Sequence, residues 1–283
     1  MGLGYPALNH TLSLWKDGAF NNFKSIIELG SQDIHGEEHE IDLAVGALTN
    51  KPNLETRDHS LGKNVYHPKE FYAAIGLTEY QCIDSDGRNG ALVLDLNTDI
   101  KAGGFSKTFD LVTNHGTTEH CFNQHNAFLN IHNLCAKGGI MIHALPFQGY
   151  LNHGFFNYQP DFFMDLARSN DYEMLGLYVN IDAETADLST YSDTLMKHLT
   201  ITPVSTVLLF AALRKTTDAP FQEPFNFKYL SESKFRDAYG FKKAPKLFLP
   251  LGLGSIEDTI SARSLAKALF VKIKRRVTRA LGL

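Results

Sequence analysis

Four short apolar runs in this 283-residue chain each end in residues whose side chains or backbone suit ligand chemistry. Ile26, Ile27 and Leu29 bracket Glu28 and lead straight into Gly30, with Ser31 and Gln32 behind it. A glycine there lets a ligand approach the backbone closely. Asp84 closes the run Tyr80–Ile83, where a carboxylate can accept both hydroxyls of a ribose in a charge-assisted, bidentate contact. Asp95 follows Ala91–Leu94, placed to take an exocyclic amine, and Asn114 follows Phe109–Thr113. One such residue is ordinarily a turn former or a helix cap. Four in order, at one edge of a sheet, carry the inference.

A second cluster lies at residues 147–158. Asn152, His153, Asn157 and Tyr158 alternate there with Phe147, Tyr150, Phe155 and Phe156. Apolar walls with a few polar anchors make up a small-molecule pocket; the plainer reading is a loop packed on the sheet. Among the other histidines, His143 reads as a core or pocket-floor residue, and His115 falls close to Asn114, where a reacting group would lie. His115, His120 and His125 recur every five residues, with His132 beyond them. Five residues advance a helix about 140° past one full turn, so these rings cannot share a face. A zinc helix uses i and i+4 spacing, and no metal site is expected. No Ser-His-Asp or Cys-His set can be assigned to one place.

The elements that must position these residues follow from apolar runs and turn residues. Strands are expected at Ser25–Leu29, Tyr80–Ile83, Ala91–Leu94, Phe109–Thr113, Ile140–Ala144, Leu175–Ile181 and Pro203–Leu213. Helices are expected within residues 1–24, over residues 68–76, over about Glu119–Cys135, with Phe122 and Phe128 inward, and over Pro160–Ser169. Strands alternating with helices predict an α/β fold: a doubly wound, mostly parallel seven-stranded sheet with helices on both faces. Residues 1–217 form this domain, with an inserted excursion at about 35–67 that reads as a lid, and residues 218–283 form a Pro-rich extension.

The series Glu28-Leu-Gly-Ser31, Cys82-Ile-Asp-Ser85, Leu92–Asn97, Phe109–His120 and Lys137–Pro146 resembles the class I S-adenosylmethionine (SAM)-dependent methyltransferases over roughly residues 24–215. The resemblance implies that Glu28, Gly30, Gln32, Asp84, Ser85, Asp95, Leu96, Asn114 and His115 line a SAM site. It also matches Glu119-His120 to a Glu-His pair that follows strand four, and Gly138-Gly139 to a turn into strand five. The first loop departs from the pattern: Gln32 and Ile34 stand where further glycines are usual. The implied activity is methyl transfer to a small-molecule or sugar-like acceptor, with a hydroxyl as the expected nucleophile. His153 then serves as the general base or substrate anchor, a role that suits imidazole near neutral pH. His143, Asn152 and Tyr158 would contact the acceptor. The alternative is a methyltransferase-like binding or scaffold module without turnover.

Composition bounds what remains. A formal net charge of −4 gives no support for a surface spread over nucleic acid. A dinucleotide fingerprint, G-x-G-x-x-G with an acidic residue about 20 further on, is not met. Cys82, Cys121 and Cys135 lack metal-like spacing and read as reduced packing residues. The N-terminus has no basic start and apolar middle of a secretion signal, which makes a cytoplasmic protein the expectation. The last helix, about Ser261–Leu281, sets Leu265, Leu269, Ile273, Val277 and Leu281 in one stripe beside the basic residues Lys267, Lys272, Lys274, Arg275, Arg276 and Arg279. It reads either as a peripheral membrane contact or as a stripe packed on the core or on a partner chain.

Overall fold

The computed structural model describes residues 2–36, 41, 44, 46, 48, 56–57, 65–181, 188–192 and 206–226. The expected basic helix at 261–281 and most of the excursion at 35–67 lie outside the described residues.

Helix α1 (Tyr5–Lys16) leads to β1 (Ser25–Leu29). A short ribbon, β2 (Thr56–Arg57) with β3 (Val65–Tyr66), precedes helix α2 (Pro68–Ala74) and β4 (Glu79–Ile83). Then come β5 (Phe109–His115), α3 (Gln124–Leu134), β6 (Cys135–Gln148), α4 (Pro160–Ser169), β7 (Glu173–Ile181), β8 (Ser189–Thr190) and β9 (Val207–Arg214). The main sheet has seven strands in the order β4-β1-β5-β6-β9-β7-β8. Neighbours from β4 to β6 pair in parallel, and β9 runs antiparallel between β6 and β7.

Both faces of the sheet are covered, which explains the near-continuous apolar runs of its central strands. Alternation along β1 sends Ile27 and Leu29 to the face under α3 and α4, while Ile26 and Glu28 go to the face under α1 and α2. Asp110 ties the start of β1 to β5: its Oδ2 accepts from the backbone N–H groups of Lys24 and Ser25, each at 2.9 Å.

Three expectations need correction. Ala91–Leu94 is not a strand; Leu92 makes one bridge to Ile83, so β4 is the sheet edge and the short β8 completes the seven. Gly87, Asn89 and Gly90 just before it adopt left-handed conformations, which an extended ladder cannot accommodate. Helix α3 begins at Gln124, not near Glu119, because Asn123 caps it by accepting from the Asn126 N–H at 3.1 Å. Residues Thr118–His120 form a separate 3₁₀ turn, and Phe122, expected to point inward, is 79% exposed. Strand β6 extends well beyond Ile140–Ala144 at both ends, with its irregularity at the Gly138-Gly139 pair. No helix among the described residues is long and apolar enough to cross a membrane.

Candidate active site

The chain passes from β1 to β4 on one side and later to β5 on the other. The connections therefore diverge at the carboxyl ends of β1 and β5, and open sheets bind ligands at such a point. A crevice of about 630 Å³ opens there. That falls within the usual range for small-molecule sites, about 300–1,000 Å³.

Gly30 begins its wall, with φ +82° and its N–H donating to the Ile83 carbonyl at 2.7 Å. A Cβ at Gly30 would come within 2.5 Å of Gln32 Nε2 and 2.6 Å of Thr117 Oγ1. Gln32 folds back so that its Nε2 donates to the Leu29 carbonyl, which Thr117 Oγ1 also caps. Gln32 Oε1 stays buried without a hydrogen-bond partner.

Across the crevice, Asp84 Oδ2 accepts from the Ser31 N–H at 2.8 Å. Asp95 is exposed, and its Oδ1 accepts from both the backbone and the side-chain amide of Asn97, which lower its pKa. Helix α3 holds this loop in place of the missing strand. Buried Asn130 accepts from the Ile100 N–H and donates to the Leu96 and Thr98 carbonyls. Asn126 donates to the Asn97 carbonyl at 2.7 Å. Gly30, Gln32, Asp84, Ser85, Asp95 and Leu96 all line the crevice.

Glu28, Asn114 and His115 do not. The buried Glu28 carboxylate faces away, accepting from Tyr72 at 2.9 Å and from Tyr80 at 2.6 Å. Asn114 is spent on the turn that follows β5: Nδ2 donates to Thr118 Oγ1, and Oδ1 accepts from the Thr118 N–H. His115 lies under α1, its charged form disfavoured by burial, with the pKa down to about 3. Neither of its ring nitrogens has a hydrogen-bond partner. The sequence positions were close to the crevice, but the two-residue alternation of β1 and β5 turned these side chains into the interior.

The acceptor loop divides in the same way. Tyr158 is buried, with its hydroxyl donating to Gln124 Oε1 at 2.7 Å and lying 3.0 Å from the Thr118 hydroxyl. His143 is buried against Phe163, with Nδ1 3.2 Å from Asn114 Nδ2. Both belong to the core network. Asn152 is exposed in a left-handed conformation, and His153 beside it is half-buried.

His153 meets a residue to which the sequence had given no chemical role. Its Nε2 lies 3.5 Å from Glu119 Oε1, and His120 Nε2 lies 3.9 Å from the same oxygen. The Glu119 side chain is fully buried, neither oxygen has a hydrogen-bond partner, and burial pushes its pKa up to about 7. The loop is pinned there by the Phe155 N–H donating to the Glu119 carbonyl at 2.8 Å. Any Cβ at Gly154 would sit 2.9 Å from Glu119 Cγ and 3.0 Å from its carbonyl oxygen. The His153-Gly154 dipeptide was the available signal. His120 also lines the crevice, so the acid-imidazole group and the crevice are continuous. The other histidines scatter: His125 pairs with Glu223, and His132 contacts Tyr172.

No protein-family model matches the sequence, and no curated protein matches it significantly. Among solved structures, the chain is similar to the trans-methyltransferase CalH in complex with S-adenosylhomocysteine (SAH), at 14% identity and a TM-score of 0.39; the match covers 75% of this chain and 57% of that one. It is similar to the N-methyltransferase NodS of Bradyrhizobium japonicum with SAH, at 11% identity and TM-score 0.40, covering 74% and 86%. It is also similar to an O-methyltransferase from a trans-AT polyketide synthase multienzyme of Brevibacillus brevis with SAH, at 11% and 0.42, covering 85% and 86%. Likeness at this level transfers no residue role.

Proposed function

We propose that the crevice binds SAM and that the protein transfers its methyl group to a small-molecule acceptor, with a hydroxyl as the nucleophile. One observation carries this reading: a crevice at the divergence of β1 and β5, flanked by Asp84 and Asp95, runs on to His120, Glu119 and His153. The fit of the residues supports it. Asp84 keeps one carboxylate oxygen for ribose hydroxyls, and Asp95 keeps one for an adenine amine. Val93, 68% exposed on the crevice wall, offers an apolar surface to a base. The unpartnered Gln32 Oε1 suits the α-ammonium of the methionine end.

When bound, SAM would supply an electrophilic methyl group to the acceptor oxygen, with the neutral thioether as the leaving group. The His153 ring takes the acceptor's proton, and the Glu119 carboxylate beside its buried Nε2 stabilises the imidazolium that results. Burial lowers the pKa of the free His153 ring, so it is neutral and ready to accept at pH 7.

Calorimetric titration with SAM and SAH tests the reading, and no binding of either at about millimolar concentration would end it. With hydroxyl, amine and carbon acceptors supplied, His153→Ala is expected to lower turnover by about 10²–10⁴-fold while SAH affinity stays within about threefold. Cofactor binding without turnover on any acceptor would favour the scaffold alternative.

A further inference from the structure

The acid-imidazole group beside the crevice has the make-up of a cation site. Glu119, His120 and His153 each offer one ligand atom, and all three atoms lie within 4.8 Å of one another. Bonds of about 2.0–2.2 Å to a tetrahedral or octahedral ion require donors about 3.0–3.6 Å apart. The observed 3.5 Å and 3.9 Å from Glu119 Oε1 to the two Nε2 atoms need a few tenths of an ångström of closure, and the third separation, within 4.8 Å, needs at most about 1–2 Å, which the exposed His120 ring can supply. Both separations are too long for good hydrogen bonds, so the imidazoles do not satisfy the acid as neutral partners.

The carboxylate itself points to a ligand. The Glu119 side chain is fully buried, and neither oxygen has a hydrogen-bond partner. An anion in that position is costly unless a positive charge meets it. The sequence holds the three together by unrelated devices. The 3₁₀ turn carries Glu119 and His120, and the bare Gly154 lets the backbone of His153 close on Glu119. His120 and His153 are 48% and 29% exposed, so coordination positions opposite the buried acid face the crevice. Two imidazoles and one carboxylate with open positions match first-row transition ions; magnesium and calcium prefer all-oxygen shells.

We propose that Glu119, His120 and His153 bind one divalent transition-metal ion of the zinc, cobalt or manganese class, leaving open positions toward the crevice. The site itself stands on this geometry alone. Its use in catalysis rests on the methyl-transfer reading: an acceptor oxygen bound to the ion would lose its proton to solvent water more readily, so that His153, now a ligand, would no longer be needed as the base.

The test uses the full chain stripped with a chelator and titrated with Co²⁺, followed by visible absorption, and with Zn²⁺, followed by calorimetry. One equivalent per chain is expected. Affinity should fall at least about tenfold in Glu119→Gln and in His120→Ala, and stay unchanged in His125→Ala, whose ring pairs elsewhere. Circular dichroism checks folding, and His120→Ala, a half-exposed position, keeps the test valid if the buried substitution unfolds the chain. Absence of stoichiometric binding at about 100 μM ion overturns the proposal, as does binding that both variants leave intact. A chain that binds SAH but no cation refutes only the metal site. One that binds cation but neither SAM nor SAH refutes only the methyl-transfer reading.

Discussion

Gly30 sits where fold and crevice meet, and Gly30→Ala measures both. The substitution forces a side chain into φ +82°, at about 1–2 kcal/mol. Its Cβ would also displace the ends of Gln32 and Thr117. Those are flexible tips, so the backbone need not move, but three hydrogen bonds loosen: Gln32 Nε2 to the Leu29 carbonyl, Gln32 Nε2 to Thr117 Oγ1, and Thr117 Oγ1 to the Leu29 carbonyl. At about 0.5–1.5 kcal/mol each, with partial re-solvation at an open crevice, the total expected loss is about 2–4 kcal/mol. Gly76→Ala provides the reference. It has φ +97° but nothing within 4 Å of the added Cβ, so only the backbone term of about 1–2 kcal/mol applies. Denaturant midpoints of the two variants isolate the crowding, and calorimetry should show SAH affinity reduced at least about tenfold in Gly30→Ala alone. Equal midpoints for the two variants, with SAH binding untouched, would refute the account of how this turn is built.

Asp84→Ala removes both the acceptor for the Ser31 N–H and the carboxylate facing the crevice; SAH affinity is expected to fall about 10–100-fold by calorimetry, with Asp86→Ala as an exposed control. Acid should destabilise the protein early. Burial lowers His10 to about 4, and His115 and His143 to about 3, from an unfolded value near 6.5. Each is neutral when folded and gains a proton on unfolding between those values, so stability is intact above pH 6.5 and declines as pH falls toward 3–4. The slope approaches about 1.4 kcal/mol per pH unit for each histidine, and His115→Phe should flatten it in a series of denaturant melts from pH 7 to 5.

The order of elements was legible because it rests on local signals. Ile26, Ile27 and Leu29 running into Gly30, Pro160 opening α4, and the glycines and asparagines between strands act through their immediate neighbours, and an apolar run reads the same in the chain as in the sheet. Six crevice positions, from Gly30 to Leu96, were legible for the same reason: the end of a parallel strand is a position along the chain. What only the tertiary structure decided is where a side chain at such an end points, and which distant residue it meets. Glu28, Asn114 and His115 sit at or near strand ends and His143 lies within β6, and the pleat with the packing of α1, α2 and α4 placed all four side chains inside. The loop carrying Asp95 is held by Asn126 and Asn130 from a helix some thirty residues on, a substitution for a strand that no local pattern encodes. The meeting of Glu119 with His153 spans 34 residues and depends on Gly154 admitting the backbone, so it arises from packing between segments, on which local sequence is silent.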